Sequence, residues 1–253
     1  MDVYVDIIRD VLKMKKNLVI SRRLNLINKK ELKAKTEPIY IDVWPMNFLL
    51  PEFCTSLDST CLFMLQLACI LNMVSVWKRA TVRVFLCSDS QDAAENDRRK
   101  SRLDDLLNQL RIHALTVIVP METTRNLISR PLIKEEDAIH YQTNFTNPEI
   151  LNVSDVYLKG VNQMVKQYSE GASLCFMYLP PPPAPYKETT LDSNITQDES
   201  LLSESELERK PAFISTSEEN QNKSYIKMLE LISDSLPPCV YINGVNCVTS
   251  TQL

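Results

Sequence analysis

The first 159 residues contain no glycine, although they read as strands alternating with helices, the arrangement that most often cradles a phosphate on a glycine-rich turn. Only Gly160, Gly171 and Gly244 occur in 253 residues, where average usage near 7% would give roughly 18. Glycine is what lets a strand-to-helix turn bring its backbone up to a phosphate. An α/β fold lacking that turn is not expected to be a common nucleotide enzyme.

A 29.0 kDa chain with 44% hydrophobic and 24% charged residues has enough apolar surface for a substantial core in one or two domains. Its 28 basic and 32 acidic residues are interspersed. That balance opposes nucleic acid as a partner, because phosphate neutralisation needs a concentrated basic face. Seven cysteines (Cys54, Cys61, Cys69, Cys87, Cys175, Cys239 and Cys247) include no Cys-x-x-Cys pair and lie mostly in apolar runs. They read as buried free thiols of a reducing compartment, and the Asn-x-Ser/Thr triplets at Asn144, Asn152, Asn194 and Asn222 then read as chance.

Along the chain, Tyr4, Ile7, Ile8, Val11 and Leu12 share a helical face, and Asn17 to Ile20 follow as a short strand. The lysine-rich stretch from Asn28 to Pro38 reads as a loop and Ile39 to Trp44 as a strand. Cys61 to Trp77 is apolar but too short for a bilayer span of ~20 residues, so it predicts a buried core helix. Thr81 to Cys87 is a strand. Asn96 or Asp97 then caps a helix carrying Leu103, Leu106, Leu107 and Leu110, and Leu115 to Val119 is a further strand.

Residues 121–152 read as a long loop with one short helix, followed by a helix at Tyr157 to Tyr168 that Ser154 caps and Gly171 ends. The strand Ser173 to Leu179 runs into Pro180 to Pro185, either a stiff exit from the sheet or a polyproline ligand. The polar, acidic stretch from Tyr186 to Asn222 predicts a disordered insertion, in which Ser200, Ser203 and Ser205 beside glutamates are candidate phosphorylation sites. A last amphipathic helix (Tyr225, Met228, Leu229, Ile232) and a strand from Cys239 to Ile242 complete the pattern. Helices between short apolar strands imply a mostly parallel sheet covered on both faces.

Chemistry-bearing constellations are sparse. His113 and His140 have no metal-ligating neighbour at helical spacing, there is no G-x-S-x-G turn, and Asp104 with Asp105 and Glu135 with Glu136 read as solvated surface. Arg98, Arg99, Lys100 and Arg102 form a basic group, either a solvated helix face or a contact for lipid heads or a partner. The ending Thr251, Gln252, Leu253 has the form of a PDZ ligand, whose carboxylate and terminal Leu are captured by strand addition.

Several blocks occur in a recognisable order: YIDVW (40–44), FLLPE (48–52), VWKRA (76–80), VRVFLC (82–87) and DRRKSRLDDLLNQLRI (97–112). FMYLPPPP (176–183), YIKMLELISDSLPP (225–238) and VYINGVNCVTSTQL (240–253) follow. This series resembles the C-terminal cytosolic domain of the cation-chloride cotransporters, solute carrier family 12. PMNFLLPE, LQLACILNMV and VTSTQL are most similar to its cotransporter-interacting protein branch.

The resemblance implies universal-stress-protein-like halves: a first α/β half over 1–120, a loop over 121–152, and a second half over 153–185 and 222–253, with 186–221 inserted. It also implies a homodimer beneath a transmembrane transport domain, with ion sites outside this chain, no catalytic residue and no cofactor. Asp42, Trp44, Arg83, Asp97, Arg98, Arg99 and Arg111 match the family pattern as packing or docking residues. The function implied is regulation and dimerisation of a potassium:chloride type symporter at the cytosolic face of a membrane, with a kinase or PDZ protein as further partners. The alternatives are a nucleotide sensor of the universal-stress type and a free-standing modulator of related cotransporters.

Overall fold

The computed structural model describes residues 2–51, 57–88, 91–128, 153–184 and 210–245. Their order is α1 (Asp2–Lys13), β1 (Leu18–Arg22), α2 (Lys29–Ala34), β2 (Ile39–Trp44), α3 (Ser59–Met73), β3 (Ala80–Ser88), α4 (Ala93–Gln109), β4 (Ala114–Pro120), α5 (Glu122–Arg125), α6 (Asp155–Tyr168), β5 (Ala172–Tyr178), α7 (Lys210–Ile232) and β6 (Cys239–Asn243).

The strands form one six-stranded sheet in the order β1-β6-β5-β2-β3-β4. All neighbours are parallel except β1, which runs antiparallel to β6 with Leu18 opposite Asn243. The segments read as two halves share this sheet, because β2 pairs directly with β5. Strands buried on both faces need continuous apolar runs, and β2, β5 and β6 supply them in Ile41, Val43, Phe176, Met177, Val240 and Ile242.

Two cores lie on opposite faces of the sheet. One packs Ile41, Val43, Val84 and Phe176 beneath α3 and α4, and the other packs Trp44, Phe85, Cys175 and Tyr241 beneath α1, α6 and α7. The helix starts are fixed by side-chain caps: Asp58 accepts from Cys61 N–H, Ser154 from Tyr157 N–H, and Asn28 from Lys30 N–H. The five described cysteines are free; Cys54 and Cys247 lie outside the described residues.

Four expectations change. The lysine-rich stretch is not all loop, because the Asn28 cap and one buried anchor, Leu32, close the short helix α2. α4 starts at Ala93 rather than after Asn96 or Asp97: Asp92 accepts the Ala94 amide, and the Asn96 side chain is taken up by Ser88. In α1, Ile8 is buried but Tyr4 and Ile7 are exposed, so the apolar face is wider than the core it meets. The insertion ends earlier than Asn222, since α7 runs from Lys210 and Asn222 is itself buried; residues 185–209 lie outside the described residues.

Candidate docking surface

Open parallel sheets bind ligands where the chain order reverses, at the carboxyl ends of the two strands flanking that point. Here the point lies between β2 and β5, and the protein's own residues occupy it. Past Trp44 the chain folds back as an apolar plug in which Met46, Phe48, Leu49 and Leu50 are all buried. Tyr157 OH donates to Phe48 O at 2.7 Å, and the Cys61 thiol contacts Pro45 O at 3.1 Å.

The N-terminus of α3, the natural anion site beside this point, is closed as well. Asp58 caps it and accepts Tyr178 OH at 2.6 Å, while the hydroxyls of Ser59 and Thr60 donate to Gly244 O at 2.8 and 3.1 Å. Gly244 N–H donates back to Thr60 Oγ1 at 3.0 Å. A Cβ on Gly244 would lie 2.6 Å from Phe63 Cβ, so this glycine lets protein backbone, rather than a phosphate, approach the helix. Burial, reinforced by the Asp58 carboxylate, pushes the Cys61 thiol up, which leaves it a poor nucleophile.

Three family-pattern residues come together below the plug. Arg83 donates to both carboxylate oxygens of Asp42, at 2.7 and 2.8 Å, and its guanidinium lies 4.1 Å from the centre of the Tyr40 ring. Asp42 is fully buried whereas Arg83 reaches solvent along its edge. Burial pushes the Asp42 carboxyl up, and hydrogen bonds from Arg83 and Ser169 pull it back. Trp44 stacks on Phe85 at 4.3 Å and donates its indole N–H to Ser169 Oγ at 3.0 Å. The group ties β2, β3 and the end of α6 into one packed unit.

The remaining sites stand apart. Arg99 is half-buried on α4, bonded to Glu95 and to Ser88 at the end of β3. Asp97 and Arg98 are exposed on the same helix, and Arg111 is exposed in the turn before β4 with a φ of 56°. Ser200, Ser203, Ser205, Thr251, Gln252 and Leu253 lie outside the described residues.

One residue that sequence reasoning passed over is Arg9. Its side chain is 2% exposed, and its guanidinium donates to Pro183 O at 2.9 Å, Asp6 at 2.7 Å, Glu218 at 3.0 Å and Asn222 at 2.6 Å. Asn222 in turn donates to Asp2 at 3.1 Å, and Tyr225 OH donates to Pro180 O at 2.8 Å. Arg9 thus fastens α1, the proline exit of β5 and the first half of α7 to one another. The available signal was positional: Arg9 falls four residues after Val5 and three before Leu12, on the inward face of an amphipathic helix.

Outside this clamp α1 presents Val3, Tyr4 and Ile7 to solvent, with Met14 exposed just beyond it, and α3 presents Ile70 and Met73. Apolar rows of this kind suit contact with another protein. No family model matches the chain. Solute carrier family 12 member 9 of Danio rerio, however, is 30% identical over 256 residues, which are 99% of this chain and 23% of that protein. The Xenopus laevis protein of the same name is 29% identical over 260 residues, again 99% of this chain and 24% of its own length.

The chain is a solute carrier family 12 member 9-like C-terminal domain. It spans about a quarter of the length of these curated relatives. The human member 9 matches a shorter stretch more closely, 38% over 116 residues or 44% of this chain. Among the described residues of this member 9-like domain, no helix is long and apolar enough to cross a membrane.

Proposed function

We propose that this chain is the cytosolic regulatory and dimerisation domain of a chloride-coupled cation symporter of the potassium:chloride type. In this reading it serves ion transport, chloride and potassium homeostasis and cell-volume control from the inner face of a plasma or endolysosomal membrane. The observation that carries the reading is a match along 99% of the chain to about a quarter of member 9 proteins.

The mechanism is interfacial. A second copy and a cotransporter transmembrane domain are the partners, and the Arg9 clamp gives α1 a fixed pose from which a position can be passed on. Ser200, Ser203 and Ser205 offer a kinase a modifiable arm, and Thr251, Gln252 and Leu253 offer a PDZ domain a terminal carboxylate. Chemistry is not the role: the filled crevice at β2 and β5 supports a contact domain over an enzyme or a nucleotide sensor.

Co-expression tests this directly. The chain is expected to co-purify with full-length solute carrier family 12 member 9 and to change its chloride-dependent rubidium uptake. A folded chain that neither binds the transporter nor alters uptake would contradict the proposal.

A further inference from the structure

One end of the sheet is basic and apolar at once. Five parallel strands begin there and β1 ends there, so the segments 24–37 and 73–79, which lead into β2 and β3, meet at that end. They hold six basic residues against two acidic ones, in a chain whose net charge is -4. Both acids are engaged: Glu31 accepts from the Asn28 side-chain amide at 2.6 Å, and Glu37 lies 4.0 Å from Lys35. Lys29, Lys30, Lys33 and Lys78 are exposed and make no ion pair among the described residues. Two further acids stand at this end, Asp234 at 3.9 Å from Arg23 and Glu170 in the turn before β5, and Arg22, Arg23 and Arg111 offset them. Large aliphatic side chains stand among these cations: Met73 is 71% exposed, Leu26 64% and Val74 48%. Fixed backbone holds them out. The Asn72 side chain donates to Trp77 O and Ala80 O at 2.9 and 2.7 Å, Arg79 reaches across to Lys35 O at 3.2 Å, and Arg23 donates to Leu236 O at 3.0 Å.

We infer that this end of the sheet seats on an anionic lipid bilayer, with Leu26, Met73 and Val74 entering the headgroup layer and the lysines lying on its phosphates. Charge and apolar exposure select the partner together. A lipid surface of negative charge attracts each nearby Lys or Arg, and it alone takes up isolated aliphatic side chains beside them. A nucleic acid would need exposed aromatic rings or a groove, and the aromatic ring of the second segment, Trp77, is buried. The other basic group, on α4, lacks the second half of this chemistry. Lys100 and Arg102 are exposed there among Asp97 and Asp105, and no large apolar side chain of that helix is exposed. Seated in this way, the domain turns the carboxyl ends of its parallel strands, with their filled crevice, away from the bilayer. This goes beyond the transport reading and does not depend on it, because a lipid surface alone supplies the partner.

The test is co-sedimentation of the full chain with vesicles of phosphatidylcholine alone and of phosphatidylcholine with phosphatidylserine. The wild type is expected to pellet with the anionic vesicles only and to be released by salt. Lys29→Gln, Lys33→Gln and Lys78→Gln combined should lower the partition by about 100-fold, at about fivefold for each cation near a lipid surface. Leu26→Ser with Met73→Ser should lower it by at least about tenfold. Lys100→Gln with Arg102→Gln, on α4, should leave it unchanged. All seven positions are exposed, and circular dichroism with thermal melting establishes that each variant is folded. A wild type that ignores anionic vesicles or binds neutral ones equally would overturn the inference, as would a folded lysine variant that binds like wild type. Loss in the lysine variant with none in the Leu26 and Met73 variant would mark a site for an acidic protein and overturn the bilayer seat. The uptake assay above judges the transport reading separately, since these vesicles hold no transporter.

Discussion

Asp42 and Arg83 form one ion pair but differ in their access to water, and that difference fixes what each substitution does. Asp42→Asn leaves an arginine that still lies on Tyr40 and reaches solvent, at a cost of about 1–2 kcal/mol. Arg83→Met leaves a fully buried carboxylate without its cation, at a cost of about 3–5 kcal/mol near neutral pH. Asp42 already has its carboxyl pushed up by burial, and removing Arg83 raises it further. The folded variant then takes up a proton at a higher pH than the unfolded chain. Its deficit relative to wild type should therefore shrink as pH falls from 7 toward 3.8, the ordinary value. Melting curves of the two variants across that range check both the order and the sign. At the other end of the sheet, Gly244→Ala drives a Cβ into Phe63 and should cost about 1–3 kcal/mol by urea denaturation.

At the scale of elements, the Arg9 clamp makes α1 and the first half of α7 a single folding unit. Arg9→Met strands Asn222 and the Pro183 carbonyl without their donor, at a cost of about 3 kcal/mol. Arg9→Lys should not restore the unit, since an ammonium cannot present the guanidinium fork to four acceptors from three segments. Hydrogen exchange of Arg9→Met is expected to show amides of 3–12 and 218–222 exchanging faster together. Residues 225–232 should stay protected, anchored by the buried Tyr225, Met228, Leu229 and Ile232. Independent exchange of the two helices would contradict a shared unit. Strands and most long helices were legible in the sequence because each carries an apolar run or a 3.6-residue period longer than its flanks, whereas α7 before Asn222 was read as insertion because that stretch is polar. α2 was not, because six residues with one buried leucine have no period. The start of α4 was misplaced because Asp92, Asn96 and Asp97 are all acceptable caps by type, and only their partners decide among them.

For the molecule as a whole, alternating strands and helices implied the parallel sheet, and the ordered family blocks implied the relationship that the member 9 proteins bear out. The filling of the crevice was not legible. It depends on Gly244 meeting Thr60 and Phe63 across more than 180 residues of chain, and on the loop after Trp44 turning inward. The absence of glycine before residue 160 marked the missing phosphate turn. Only the fold showed what stands in its place: an apolar plug, and a helix N-terminus capped by the Asp58 side chain and covered by the Gly244 backbone. A mostly parallel sheet closed in this way supports the proposal that the surface, rather than the crevice, serves function. The most direct measurement is calorimetric titration of the full chain with magnesium ATP and ADP. The expected result is heat no different from dilution at every concentration reached; saturable binding at one site per chain would contradict the filled crevice and restore the nucleotide sensor.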